Sequence, residues 1–341
     1  MVAETGIPGR RDVSLSILIP MACSNTQLTA VLEALIGRNE AFLRRVPTEI
    51  ILIDSVPNLG TPRLPESGPA ELRYLETKVM GVTAKVRVAL PETRGEYLLI
   101  LTDEVIATFD FLEDAYETAR LGYVAAVPYL EAQAPAAGAY PLRYPWFAPI
   151  MPLTFVLTER QRLIEWMDGG VPAHPPLTHH WCLQCWEKGE IPAYPARHVR
   201  YCPLVKMDGK RPAIYKPITD DLINEGRRWF AHTWPPERVE QVHSRMTAIC
   251  AELASKNQGP LRVIRGPHAG IYVVHDSDST GVGPPYQVLG SAQEVRLEAE
   301  RALSSWREGA GRHRLLAAAR SAPERKRAWA RRAIRWVASV E

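Results

Sequence analysis

The chain has 341 residues, 46% of them hydrophobic, and 41 Lys and Arg against 38 Asp and Glu give a formal charge of +3. The length exceeds the roughly 250–300 residues at which one core stops growing, so one main domain plus an extension is expected. The small net charge argues against a dedicated nucleic-acid binder, no apolar run nears the roughly 20 residues that span a bilayer, and five cysteines lack the density of a disulfide scaffold.

The first residues include Glu4 and Asp12 and show no basic-then-apolar leader. With so few cysteines, a cytoplasmic location in a reducing compartment is expected. Ser14 to Pro20 is a short apolar strand stopped by proline. From Gln27 to Phe42, Leu28, Val31, Leu32, Leu35 and Ile36 recur at the spacing of an amphipathic helix. Glu49 to Asp54 is a second apolar strand, ending in a carboxylate. A helix, a strand and a helix are expected next. The turn at Arg94-Gly95-Glu96 then opens the solid apolar run Tyr97 to Leu101, which stops at Thr102, Asp103 and Glu104. Runs of this kind read as strands buried on both faces, and their alternation with helices predicts a mostly parallel, three-layer α/β sheet. Ligands of such sheets bind beyond the carboxyl ends of the strands. Asp54, Asp103 and Glu104 would stand there, the last two as hard oxygen donors for a divalent cation. The competing use of Asp103 and Glu104 is to lead into a helix starting near Val105.

Many of the 29 prolines fall between residues 125 and 217, which predicts long ordered loops or a lid. Leu163 to Asp168 reads as a helix closed by Gly169 and Gly170. Thr178-His179-His180 precedes a helix from Trp181 to Gly189, in which Trp181, Cys182, Cys185 and Trp186 share one apolar face. Cys182 and Cys185, with His179, His180, His198 and Cys202 near in sequence, have zinc-like spacing. Packing as small hydrophobes on that face is the preferred reading. Helical periodicity returns from about Thr219 to Ala254. Ile271 to Val274 is a strand leading into the loop His275-Asp276-Ser277-Asp278, and Ala292 to Arg307 is another helix. The tail from Leu315 to Val340 sets Arg320, Arg325, Arg331, Arg332 and Arg335 beside an apolar stripe of Trp329, Ala333, Trp336, Val337 and Val340. Such a helix suits packing on the domain, an anionic membrane surface or a nucleic-acid backbone.

The order of the N-terminal pieces carries a resemblance. A strand ending Ile19-Pro20, a helix, Glu49-Ile50-Ile51-x-x-Asp54, and Gly95-Glu96-Tyr97 leading to Thr102-Asp103-Glu104 resemble the family 2 glycosyltransferases of the GT-A fold, over roughly residues 13 to 200. The resemblance implies a Rossmann-like GT-A domain over residues 13–215 and a mainly helical extension with the basic tail over 216–341. It implies that Pro20 and Asp54 line a nucleotide pocket, the aspartate facing the base. Asp103 would hold the ribose and, with Glu104, a Mn or Mg ion at the DxD-like motif. Lys85 and Arg87 would keep positive charge near the diphosphate. Glu104 departs from the family's final aspartate. Where inverting members present an aspartate base at a helix head, this chain offers His179 or His180, with Asp168 as a fallback.

The function expected from the resemblance is a metal-dependent transfer of sugar from a nucleotide-diphosphate sugar, with UDP as the family's usual carrier. The acceptor hydroxyl could belong to an envelope glycan, a lipid, a small molecule or a modified DNA base. Two alternatives stand beside it. One is a nucleotide-binding protein without transferase activity. The other is a nucleic-acid-modifying transferase that uses the tail from Arg320 to Arg335, a segment equally open to peripheral membrane contact.

Overall fold

The structure, a computed structural model, describes residues 13–21, 25–55, 68–127, 129–131, 155–168, 170–172, 177–201, 204–206, 220–256, 259–265, 271–276, 287–298 and 300–301. The basic tail, most of the proline-rich stretch, Cys202 and Asp278 lie outside these residues.

Strand β1 (Leu15–Pro20) is buried at all six positions, as an apolar run covered on both faces should be. Helices α1 (Asn25–Arg38) and α2 (Glu40–Arg45) return the chain to β2 (Thr48–Asp54), which lies parallel to β1 with Leu15 opposite Thr48 and Pro20 opposite Ile53. The half-exposed β3 (Glu71–Glu76) adds to the far side of β2. After it come α3 (Val82–Ala89) and one 3-10 turn, and then β4 (Tyr97–Leu101) pairs in parallel with the other side of β1. The expected strand and second helix between β2 and β4 are thus β3 and α3; the first expected helix lies outside the described residues.

No helix starts at Val105. The chain instead forms β5 (Val105–Ala107), and α4 (Leu112–Arg120) begins later. Asn39 explains that start: its side-chain oxygen accepts the amide N–H of Phe111 at 2.9 Å and of Leu112 at 3.0 Å, satisfying donors that a helix end leaves open. Next come β6 (Val124–Ala126), β7 (Tyr129–Glu131), β8 (Phe155–Glu159), α5 (Arg160–Asp168), α6 (Leu177–Lys188), β9 (Pro192–Pro195), α7 (Ala196–Tyr201) and β10 (Leu204–Lys206). The remainder supplies α8 (Asp220–Thr233), α9 (Pro236–Lys256), β11 (Leu261–Arg265), β12 (Ile271–His275), β13 (Gln287–Val288) and a helix over 292–298.

The described strands make a ten-stranded sheet in the order β13-β11-β12-β9-β6-β8-β4-β1-β2-β3, beside a small sheet β5-β10-β7. Following the pairings along that order, β8 and β11 run against the other eight. This is the mostly parallel α/β architecture expected. Its two faces bury different layers. Ile17 and Ile19 of β1 join Leu28, Leu35 and Phe111 on one side, while Leu18 joins Val86, Trp166 and Trp181 on the other. Each such side chain, fully buried, contributes about 1.5–3 kcal/mol.

Beyond residue 216 the chain is led by helix, as expected, and also extends the sheet. β12 pairs in parallel with β9, Val274 opposite Tyr194 and His275 opposite Pro195. Arg238 of α9 makes a two-pronged ion pair with Glu187 of α6, at 2.6 and 2.8 Å, and lies 4.3 Å over the Trp234 ring.

The amino edge of the sheet is held by Glu49. Its carboxylate is wholly buried and accepts from Ser16 Oγ (2.6 Å), the Arg94 amide (2.7 Å), the Arg94 guanidinium (2.8 and 2.9 Å) and Arg73 (2.8 Å). Gly95, in the turn before β4, donates its amide to Ser16 Oγ at 2.8 Å, and a Cβ there would lie 2.5 Å from the Ser16 nitrogen. No larger residue fits without moving the backbone.

Candidate functional site

Three neighbouring strands, β2, β1 and β4, end side by side at the carboxyl edge. β1 is extended by Met21, whose amide donates to the Ile53 carbonyl at 3.0 Å. β2 ends in Asp54, β4 in Leu101, and Thr102, Asp103 and Glu104 then turn the chain, with the Val105 amide closing on the Thr102 carbonyl at 3.3 Å. Carrying the β1–β4 register on from Leu18 opposite Ile100 sets Pro20 level with Thr102. The sequence-predicted residues Pro20, Asp54, Asp103 and Glu104 are therefore brought together at this edge.

Asp54 and Asp103 are both buried, and Glu104 is half-buried. Asp54 Oδ2 accepts the Tyr74 hydroxyl of β3 at 2.6 Å. Lys85 lies one turn into α3, a helix that starts at Gly81 with φ 88° and buries Thr83, Val86 and Ala89. Lys85 belongs to that buried face. Its ammonium donates to the Met21 carbonyl, at the end of the central strand, and interacts electrostatically with both Asp54 and Asp103. Burial pulls the Lys85 pKa below the ordinary lysine value, and the two carboxylates oppose that fall. Lys85 is thus set among the strand ends, where it interacts with both acids. Arg87, read from the sequence with it, points elsewhere: it is exposed and donates to the Val171 carbonyl, joining α3 to the segment after α5.

Among the described residues no three His, Cys, Asp or Glu side chains are grouped to hold a metal ion unaided. A Mg or Mn ion held by Asp103 and Glu104 would need its remaining ligands from substrate phosphates and water rather than from a full protein cage.

The three base candidates differ in their surroundings. β8 runs backwards, and the Arg160 amide bonds the Glu96 carbonyl at 2.8 Å, so α5 starts at the amino edge. Its nine residues rise about 13 Å from there and end in the exposed Asp168. α6 then leads to β9. His179 is in its first turn. His180 is buried instead: Nδ1 accepts the Trp234 indole N–H at 2.8 Å, and its ring meets Trp229 edge-on at 4.8 Å between centroids. Burial, with the Arg238 charge nearby, pushes the His180 pKa down to about 4. This is the setting of a neutral, packed imidazole. Cys182 and Cys185 are likewise core: burial pushes Cys182 up to about 12 and Cys185 well above its ordinary value. His275 ends β12 at the carboxyl edge, buried beside Tyr123.

Among the described residues no helix is long and apolar enough to cross a membrane. No protein-family model and no curated protein matches the chain. Among solved structures it is similar to S. aureus TarS 1–349 in complex with UDP-GlcNAc, at 12% identity over 71% of this chain and 72% of that one, with a TM-score of 0.46.

Proposed function

We propose that this chain is a GT-A-type glycosyltransferase that takes its sugar from a nucleotide-diphosphate donor, UDP first among them. The observation that carries the reading is the meeting of Asp54, Lys85 and Asp103 at the ends of three adjacent strands, in the chain order of the family 2 motifs. In this reading Asp54, held by Tyr74, reads the base, and Pro20 forms a wall of the same pocket. Asp103 binds the ribose and, with Glu104, holds Mn or Mg. The cation supplies charge that stabilises the leaving diphosphate. Asp168, exposed at the end of α5, takes the proton from the acceptor hydroxyl, with His179 as the other candidate; His180 is kept for packing. The acceptor, the location and the contacts of the tail stay as the sequence left them.

The test is calorimetric binding of UDP, GDP, CDP and dTDP, each with Mn and with chelator, to the wild type, Asp103→Ala and Glu104→Ala. Metal-dependent binding of one nucleotide, lost in both variants while circular dichroism is unchanged, is the expected result. No binding of any nucleotide by the folded wild type refutes the reading. Binding without turnover of any sugar donor would favour the nucleotide-binding alternative.

A further inference from the structure

We propose that Lys85 makes the divalent-cation site conditional on nucleotide: without nucleotide its ammonium keeps a metal off Asp103, and with nucleotide the two bind together. The proposal rests on the donor-site reading above and concerns how the site fills.

Lys85 is 3% exposed. A lysine so buried keeps its charge only with partners, and these include the Met21 carbonyl and the carboxylates of Asp54 and Asp103. Asp103 is therefore already charge-compensated. A dication at Asp103 and Glu104 would face a fixed positive charge close by, in surroundings that screen poorly. Among the described residues it would also find no third acidic, His or Cys ligand grouped with Asp103 and Glu104. Both disadvantages end when a nucleoside diphosphate arrives. Its phosphates supply the missing oxygen ligands and put negative charge between the ammonium and the dication. Binding linkage is reciprocal, so the factor by which UDP tightens Mn is the factor by which Mn tightens UDP.

Lys85→Met keeps the chain length and removes the charge. It should bind Mn(II) alone at least about 10-fold more tightly than the wild type, and the coupling between Mn and UDP should shrink by a similar factor. Lys85→Arg should leave Mn binding weak without UDP. The experiment follows free Mn(II) by electron paramagnetic resonance as MnCl2 is titrated into the full chain, with and without UDP. The expected pattern is weak Mn binding by wild type and Lys85→Arg, tightened by UDP, and UDP-independent binding by Lys85→Met. If Lys85→Met does not fold by circular dichroism, Lys85→Gln carries the same expectation. Wild type that binds Mn equally well with and without bound UDP overturns the proposal, as does a folded Lys85→Met within two-fold of wild type for Mn alone. A wild type that binds no UDP at all defeats the donor-site reading instead, and the Mn-alone comparison still decides whether Lys85 guards Asp103.

Discussion

The imidazole of His180 on α6 accepts the indole N–H of Trp234, from the link between α8 and α9, at 2.8 Å. An acceptor must be deprotonated, so this bond exists only with neutral His180. His198, buried beside Phe111 and Asp114, is a second histidine kept neutral, its pKa pushed down to about 3 by burial.

Both histidines bind a proton in the unfolded chain near pH 6.5 and resist it when folded. Stability is therefore full above about pH 6.5 and falls as pH drops toward 4 for His180 and toward 3 for His198. Each can contribute a slope of up to about 1.4 kcal/mol per pH unit within its window. Urea unfolding at pH 7, 6 and 5 should show this slope, and His180→Gln should flatten it. An unchanged slope in that variant would mean that His180 takes up its proton in the fold.

Glu49 works in the opposite chemical sense with the same direction in pH. Burial alone would raise its pKa, but the hydrogen bonds from Ser16, Arg73 and Arg94 outweigh burial and hold it below the ordinary glutamate value. Its share of stability is present above about pH 4.5 and is lost as pH falls through the lower folded value. Glu49→Ala removes the acceptor shared by Ser16, Arg73 and Arg94, leaving Arg94 with Glu71 and Arg73 with Glu92, and should cost about 3 kcal/mol, read from the shift of the urea midpoint.

Gly95→Ala should cost about 1–3 kcal/mol, because the new methyl meets the Ser16 backbone, which cannot rotate away. Gly122→Ala provides the contrast: its φ of 88° strains a side chain, but nothing lies within 4 Å of the added carbon. A thermal-unfolding comparison in which Gly95→Ala matches the wild type would show that the β1–β4 edge is looser than described.

Tyr74→Phe removes the 2.6 Å bond to Asp54 without altering the ring. A stability loss of about 1 kcal/mol is expected. If Asp54 reads the base, nucleotide affinity falls several-fold as well, while Mn affinity in the presence of saturating UDP stays the same. Loss of stability with unchanged nucleotide affinity would separate Tyr74 from the site.

The strands that were legible in the sequence are those buried on both faces: β1, β2 and β4 are unbroken apolar runs whose last residues mark the carboxyl edge. β3 was harder to place, since Glu71, Arg73 and Glu76 punctuate a half-exposed edge strand. The reversal of β8 leaves no trace in Phe155 to Glu159, because a buried strand reads alike in either direction. Lys85 did leave a signal. It stands on the helical face of Thr83, Val86 and Ala89, where a lysine has no place unless something acidic awaits it. His180 stands at a helix head where the family resemblance implies a base, yet its acceptor role depends on Trp234, 54 residues away. Such distant pairings are set by packing and have no local pattern.

The pairing of β12 with β9 bears on how the chain can be divided. A fragment ending at residue 215 would expose the amide and carbonyl row of β9 and strip α6 of Arg238 and Trp234. A bare edge of that kind recruits other chains. Such a fragment should precipitate or form higher-order species, whereas the intact chain should melt in a single cooperative step. Whatever chemistry the carboxyl edge performs, the residues after 216 are the lateral seal that keeps its sheet from templating on another copy.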